Sequence, residues 1–146
     1  MSKTHLAVLD HTIQQTNVWL KTLMVDHVLG EKQHAYGALR AVLHALRDRL
    51  PPENAVQLGA QLPILARDIY YEGWRMGREP HAGRRIEDFL DAIAGELPPQ
   101  FPRDPLGTAV AVFDLLWREL DPGETAKIIG LLPEPLRRLW PLAARP

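Results

Sequence analysis

Six histidines are the first residues to test for chemistry: His5, His11, His27, His34, His44 and His81. Imidazole titrates near neutral pH and ligates metals, but a zinc site on a helix wants two histidines one turn apart with a third ligand nearby, as in HExxH. No such spacing occurs here. His44 has the richest neighbourhood, with Arg40 one helical turn before it and Asp48 one turn after. A cation and a carboxylate so placed could tune the ring for acid–base work. The same pattern fits a polar helix face turned to water, and the solvated face is the expectation. No GxSxG, glycine-rich phosphate loop or paired-carboxylate signature accompanies it. The sequence therefore assigns no catalytic residue, no metal ligand and no cofactor.

The least ordinary stretch is RDIYYEGWRMGREPHAGRR, residues 67–85, which interleaves Tyr70, Tyr71 and Trp74 with Arg75, Arg78, Arg84 and Arg85. Aromatic faces for stacking beside guanidinium groups for phosphate or carboxylate suit an anionic ligand. The competing reading makes Tyr70 and Trp74, four apart on a helix, core anchors, with the arginines solvating a loop. Arg84 and Arg85 also open a helix at its positive dipole end, an unfavourable place for cations, which points to an anion or an acidic partner there. These residues form the candidate ligand site.

Charge excludes whole classes of partner. Seventeen basic residues stand against eighteen acidic ones in 146 residues, a formal net charge of -1, so no global field draws the chain to nucleic acid or to a membrane surface. Residues 38–63 read as helix, turn and short helix, but PENAVQLGAQ carries no basic side chain to reach phosphates or base edges. The absence of cysteine fits a reducing compartment. Asp10, His11, Gln14 and Gln15 interrupt the N-terminal segment where a signal peptide or membrane span needs an unbroken apolar run. A cytoplasmic protein is expected.

The elements that must position these residues are helices. Apolar residues recur at helical spacing over Leu6, Leu9, Ile13, Leu20 and Leu23, over Ala35, Leu39, Val42, Leu46 and Leu50, and over Ile86, Phe89, Leu90 and Ile93. Prolines punctuate them, because proline lacks an amide donor and biases its predecessor away from helix. Laid on 108–140 at an offset of 70, residues 38–70 match at eight of 33 positions, including Pro52/Pro122, Pro63/Pro133 and Arg67/Arg137. Amphipathic helices alone account for matching leucines, but not for two prolines and an arginine in register. The offset also lays Trp19, Leu20 and Leu23 on Phe89, Leu90 and Ile93. The expected fold is all-α, with about eight helices in two pseudo-symmetric four-helix repeats, about 1–75 and 80–146. Units this small bury their apolar faces poorly alone, so both should share one bundle in a single domain, 1–146.

At LRAVLHALRDRLPPENAVQLGAQLP followed by YYEGW the chain closely resembles the bacterial family known as domain of unknown function 2267. The resemblance covers 38–74 and extends with less specific spacing over 84–97 and 106–140. It implies bacterial origin and a small helical protein. It brings no activity, cofactor or site residue.

Where the two copies differ, they should report what each one faces. Arg40, His44 and Arg47 correspond to Val110, Asp114 and Trp117, each set on one helical stripe. The first set should show water a charged face. The second lies within AVAVFDLLW, 109–117, a run apolar on more than one side that needs cover on more than one side. That cover is the N-terminal helix, the YYEGW helix, or a second subunit meeting Val110 and Trp117; a homodimer is the expectation. The combined reading is a non-enzymatic interaction or adaptor protein with a homodimeric or other protein partner. The alternative is a module binding a small anionic ligand in the cleft between the repeats, and an enzyme comes third.

Overall fold

The computed structural model describes residues 4–27, 29–75 and 85–145. Among the described residues there are eight α-helices and no strand: α1 Ala7–Val25, α2 Lys32–Arg47, α3 Pro52–Gln61, α4 Ile64–Tyr71, α5 Ile86–Glu96, α6 Pro105–Glu119, α7 Pro122–Gly130 and α8 Glu134–Arg137, followed by a short 3-10 turn at Leu142–Ala144. The prolines do what their chemistry predicts. Pro52, Pro105 and Pro122 are first residues of helices, where the missing N–H is not needed, and Pro63 and Pro133 immediately precede α4 and α8. Asp104 and Asp121 cap α6 and α7 by accepting from the backbone N–H of Gly107 (2.8 Å) and Glu124 (2.9 Å).

Helix α2 lies in the middle, against α1, α4, α5 and α6. Ten of its sixteen residues are buried, including His44 and Arg47, so it is covered on more than one side. Helix α6 is sheathed by α1, α2, α5 and α7. An aromatic column runs through this side of the core. Trp140 stacks on Phe113 at 4.1 Å and 6°, Phe113 leans on Phe89 at 5.8 Å, and the Arg49 guanidinium covers Phe89 at 4.9 Å from its centroid. Arg49 is buried, donates from Nη1 to the Ala45 carbonyl (3.1 Å) and has no partner for Nε or Nη2. Burial pushes its pKa below the ordinary arginine value.

Two pairs of positions 70 apart in sequence have similar environments. Arg67 donates to the Leu62 carbonyl (3.1 Å) and Arg137 to the Leu132 carbonyl (2.8 Å), each satisfying an acceptor freed where a helix ends. Tyr70 and Trp140 are both fully buried.

One expectation is corrected here. The stripe Arg40, His44, Arg47 does not face water: His44 is 4% exposed, Arg47 5%, and Arg40 is half-buried. The reason lies in the neighbour. The last carbonyls of α4 have no helical partner and need donors, and α2 supplies them.

Candidate functional site

The polar network between α2, α4 and α5 contains the residues best equipped for chemistry. His44 Nε2 donates to the Ile69 carbonyl (2.7 Å), and Nδ1 meets the Glu96 carboxylate at 2.8 Å. The ring has no free nitrogen left. Arg47 Nη1 donates to the carbonyls of Tyr70 and Glu72, both at 2.6 Å, while its Nε reaches Asp48 (3.0 Å). Arg40 joins Glu72 through Nε (2.7 Å) and Glu96 through Nη1 (3.0 Å). The hydrogen bond from Arg40 holds the Glu72 carboxyl below its usual range. Gly73, at φ +75, turns the chain out of α4 just after these carbonyls. The hydrogen bonds of the cluster thus end on the close of α4 or on a carboxylate, so its chemistry is spent on holding helices together.

The aromatic–arginine segment comes apart into different environments. Tyr70 is fully buried and donates its hydroxyl to the Ala55 carbonyl (2.6 Å); burial drives its pKa far up. Tyr71 is half-buried, edge-on to Tyr70 at 5.0 Å and 5.5 Å from Trp74. Trp74 is half-buried against the core rather than fully enclosed. Arg75 is exposed, and Arg85 is exposed beside Glu87 at 3.5 Å. Arg78 and Arg84 lie outside the described residues. The aromatics therefore stay together, while neither described arginine is joined to them by a hydrogen bond or cation–π contact.

Val110 and Trp117 also part company. Trp117 is half-buried against the core of its own chain, whereas Val110 is 40% exposed and Leu106, one turn earlier, 41%. Val110 forms one wall of a cleft of about 400 Å³ completed by His27, Asp114, Arg138, Leu139, Trp140, Pro141 and Arg145. Asp114 in this cleft is already matched, by Arg118 at 2.7 Å and His27 at 3.1 Å. Pairing with Asp26, and then with Asp114, holds the Arg118 guanidinium above its usual range. Arg138 pairs with Glu134 at 2.7 Å. Arg145 differs: it donates to two neutral oxygens, the carbonyls of Trp140 (3.0 Å) and Arg138 (2.7 Å), and meets no carboxylate among the described residues. The indole N–H of Trp140 is buried without an acceptor.

A second cleft of about 400 Å³ is formed by the proline loop from Leu97 to Pro105 and Ala94. Its polar side chains are committed elsewhere, Arg103 to the His27 carbonyl and Asp104 to the cap of α6.

Residues 16–139 match the family described as "Uncharacterized conserved protein (DUF2267)". The chain belongs to that family. No curated protein matches it. In this DUF2267 protein, no helix among the described residues is long and apolar enough to cross a membrane, and no cluster of three or more His, Cys, Asp or Glu side chains among them could hold a metal ion.

Sequence reasoning missed Glu72, Glu96, His27 and Arg145 in this DUF2267 chain. Glu96 lies 52 residues from His44, and His27 lies 87 from Asp114, so no local spacing signals either pair. Glu72 carried a usable signal, because it stands inside YYEGW immediately before the glycine that ends α4. Arg145 lies in the described C-terminal turn, where no periodicity draws the eye.

Proposed function

We propose that this DUF2267 protein is a non-enzymatic interaction protein of the cytoplasm, a helical adaptor whose contact surface is the outer face of α6 with the cleft beside it. Its four-helix halves, α1–α4 and α5–α8, form two related repeats about a pseudo-twofold axis within one bundle. The matched prolines, the paired roles of Arg67 and Arg137 and the enclosed Tyr70 and Trp140 support that arrangement.

One observation carries the functional reading. On a helix packed against four others, Leu106 and Val110 remain about two-fifths exposed, one turn apart, and Val110 lines a cleft with an apolar wall and a charged rim. Interfaces have this anatomy, an apolar centre with polar groups around it. The network that could have served catalysis is spent on internal bonds, which favours binding over turnover. A second copy of the chain is the first partner proposed for this face.

Sedimentation velocity over a range of concentrations tests this. Wild type is expected to self-associate, and Leu106→Glu and Val110→Glu to remain monomeric with unchanged helix content. A wild type that sediments as a monomer at every concentration removes the homodimer.

The smaller reading, a site for an anionic ligand, is favoured by Arg145, a fixed cation without a carboxylate. Its location moves with it, from the aromatic–arginine segment to the cleft beside α6.

A further inference from the structure

We infer that the cleft beside α6 is a binding site for a carboxylate attached to a small apolar body, with Arg145 and Arg138 meeting the carboxylate and Val110, Leu139 and Pro141 enclosing the body. This rests on the reading of the α6 face as the working surface, and adds the chemistry which that surface recognises.

Charge bookkeeping around the cleft gives the sign of the ligand. Among the lining residues Asp114 is the single acid, and it is answered twice, by Arg118 and by His27. Arg138 is answered by the exposed Glu134. Arg145 is answered by nothing charged among the described residues. Two carbonyl oxygens fix its guanidinium through Nε and Nη2 without neutralising it. A cation held in place before binding loses little freedom when an anion arrives, and its planar fork suits carboxylate geometry. On the wall, Trp140 adds ring surface to the apolar lining.

Size and polarity define the rest of the ligand. A space of about 400 Å³ falls at the small end of ligand pockets, which are mostly apolar with a few placed polar groups. Val110, Leu139, Trp140 and Pro141 supply the apolar part. A bare inorganic anion would leave that wall exposed to water, and an uncharged hydrocarbon would leave Arg145 unanswered. An organic acid with a branched or ring-sized body satisfies both demands.

The test is an NMR titration of the intact, isotope-labelled chain with N-acetyl-leucine and with N-acetyl-leucinamide, which share a body and differ only in the carboxylate. The acid is expected to shift the signals of Val110, Leu139 and Arg145, with the amide about tenfold weaker, as befits one charge-assisted contact. Arg145→Gln should bring acid and amide toward parity. Because that change also removes two carbonyl bonds, Arg138→Gln, whose partner Glu134 is exposed, serves as the variant that keeps its fold, and it too should lose acid preference. A leucine-terminated peptide that binds more tightly than N-acetyl-leucine would place the carboxylate on a polypeptide end, and equal binding would place it on a free organic acid. Either outcome carries the acid preference and supports the site. Acid and amide binding alike, shifts mapping away from the cleft, or no binding of either overturns the inference. Sedimentation of the wild type decides the contact reading independently, since it does not depend on the ratio of acid to amide.

Discussion

Arg40, His44 and Arg47 on α2, and Val110, Asp114 and Trp117 on α6, occupy positions 70 apart in sequence, yet the chain treats them in opposite ways. The α2 set is polar by composition and buried in fact, roofed by the end of α4 and by Glu96 from α5. The α6 set contains the more apolar residues, and it is there that Val110 stays open to solvent. Polarity alone did not choose which stripe went inside. What chose was the supply of partners: α4 ends beside α2 with the carbonyls of Tyr70 and Glu72 dependent on side-chain donors and that of Ile69 holding a long backbone bond from Glu72 (3.3 Å), and a buried basic stripe donates to all three. Beside α6 the carbonyls of Arg138 and Trp140 take their donors from Arg145 instead, and Val110 and Asp114 line a cleft.

The largest effects should come from the column that backs the cleft. Trp140→Ala removes the indole stacked on Phe113 and leaves a void in a well-packed core, at an expected cost of about 4 kcal/mol in urea denaturation. A loss under about 1 kcal/mol would mean that the cleft wall is not continuous with the core. Arg47→Met comes next. It preserves the apolar stem but leaves the carbonyls of Tyr70 and Glu72 without their donor, so about 3 kcal/mol should be lost. If Arg47→Met is neutral, water replaces the guanidinium and the α2 stripe is not sealed.

Arg49 sharpens the contrast, because it is buried but poorly satisfied. Its replacement by methionine gives up the contact over Phe89 and one carbonyl bond, and removes two unpaired guanidinium nitrogens. The two sides nearly cancel, and Arg49→Met should fall within about 1 kcal/mol of wild type, on either side. Calorimetry of Arg47→Met and Arg49→Met together reads the difference between a buried arginine with partners and one without.

The sequence made most of the fold legible, and the physical reason is local. Helical spacing of leucines and prolines at helix starts are properties of short windows, so the all-helical class and breaks at Pro52, Pro63, Pro122 and Pro133 could be read directly. The fate of His44 could not. Whether an imidazole flanked by Arg40 and Asp48 meets water or the end of another helix depends on contacts 25 and 52 residues away, with Ile69 and Glu96. Tyr70 was legible as a core anchor by its spacing, but the arginines after it gave no clue to the cleft, which gathers His27 from the turn after α1, α6 and the segment that follows α8. Trp117 shows the limit of residue type: a tryptophan in an apolar run suggests a patch, and its partly buried ring packs against the core of its own chain.

Acid exposes the α2 side selectively. Arg40 holds the Glu72 carboxyl below its ordinary value of 4.5, so the native state binds its proton less readily than the unfolded chain does. The contribution of this pair is then fully present above that value and is lost as the pH falls through the lower, folded one. Denaturation midpoints measured between about pH 7 and pH 3 should fall more steeply for wild type than for Glu72→Gln, and added salt should shrink the gap because the pair is exposed. Parallel curves would show that Glu72 is not engaged by Arg40 in solution.

The smallest effect tests the cleft itself. Trp117→Glu is a poor probe of the α6 face, because its ring is packed on the core and a charge there would unfold the chain as readily as it would break a contact. Val110 is the cleaner position: exposed, at the lip, and near Arg138 and Arg145 in the lining of one cleft. An exposed substitution away from the core should change stability by no more than about 0.5 kcal/mol, whichever charge is introduced. The sign of the charge should still matter. A carboxylate at 110 enters a cleft whose unanswered charge is positive, while an ammonium there adds to the repulsion, so Val110→Glu should melt above Val110→Lys by the few tenths of a kcal/mol typical of exposed pairs. That ordering should fade in high salt. A thermal-melting comparison of the two variants at low and high ionic strength reads it, and Val110→Lys melting at or above Val110→Glu would show that the cleft carries no net positive field.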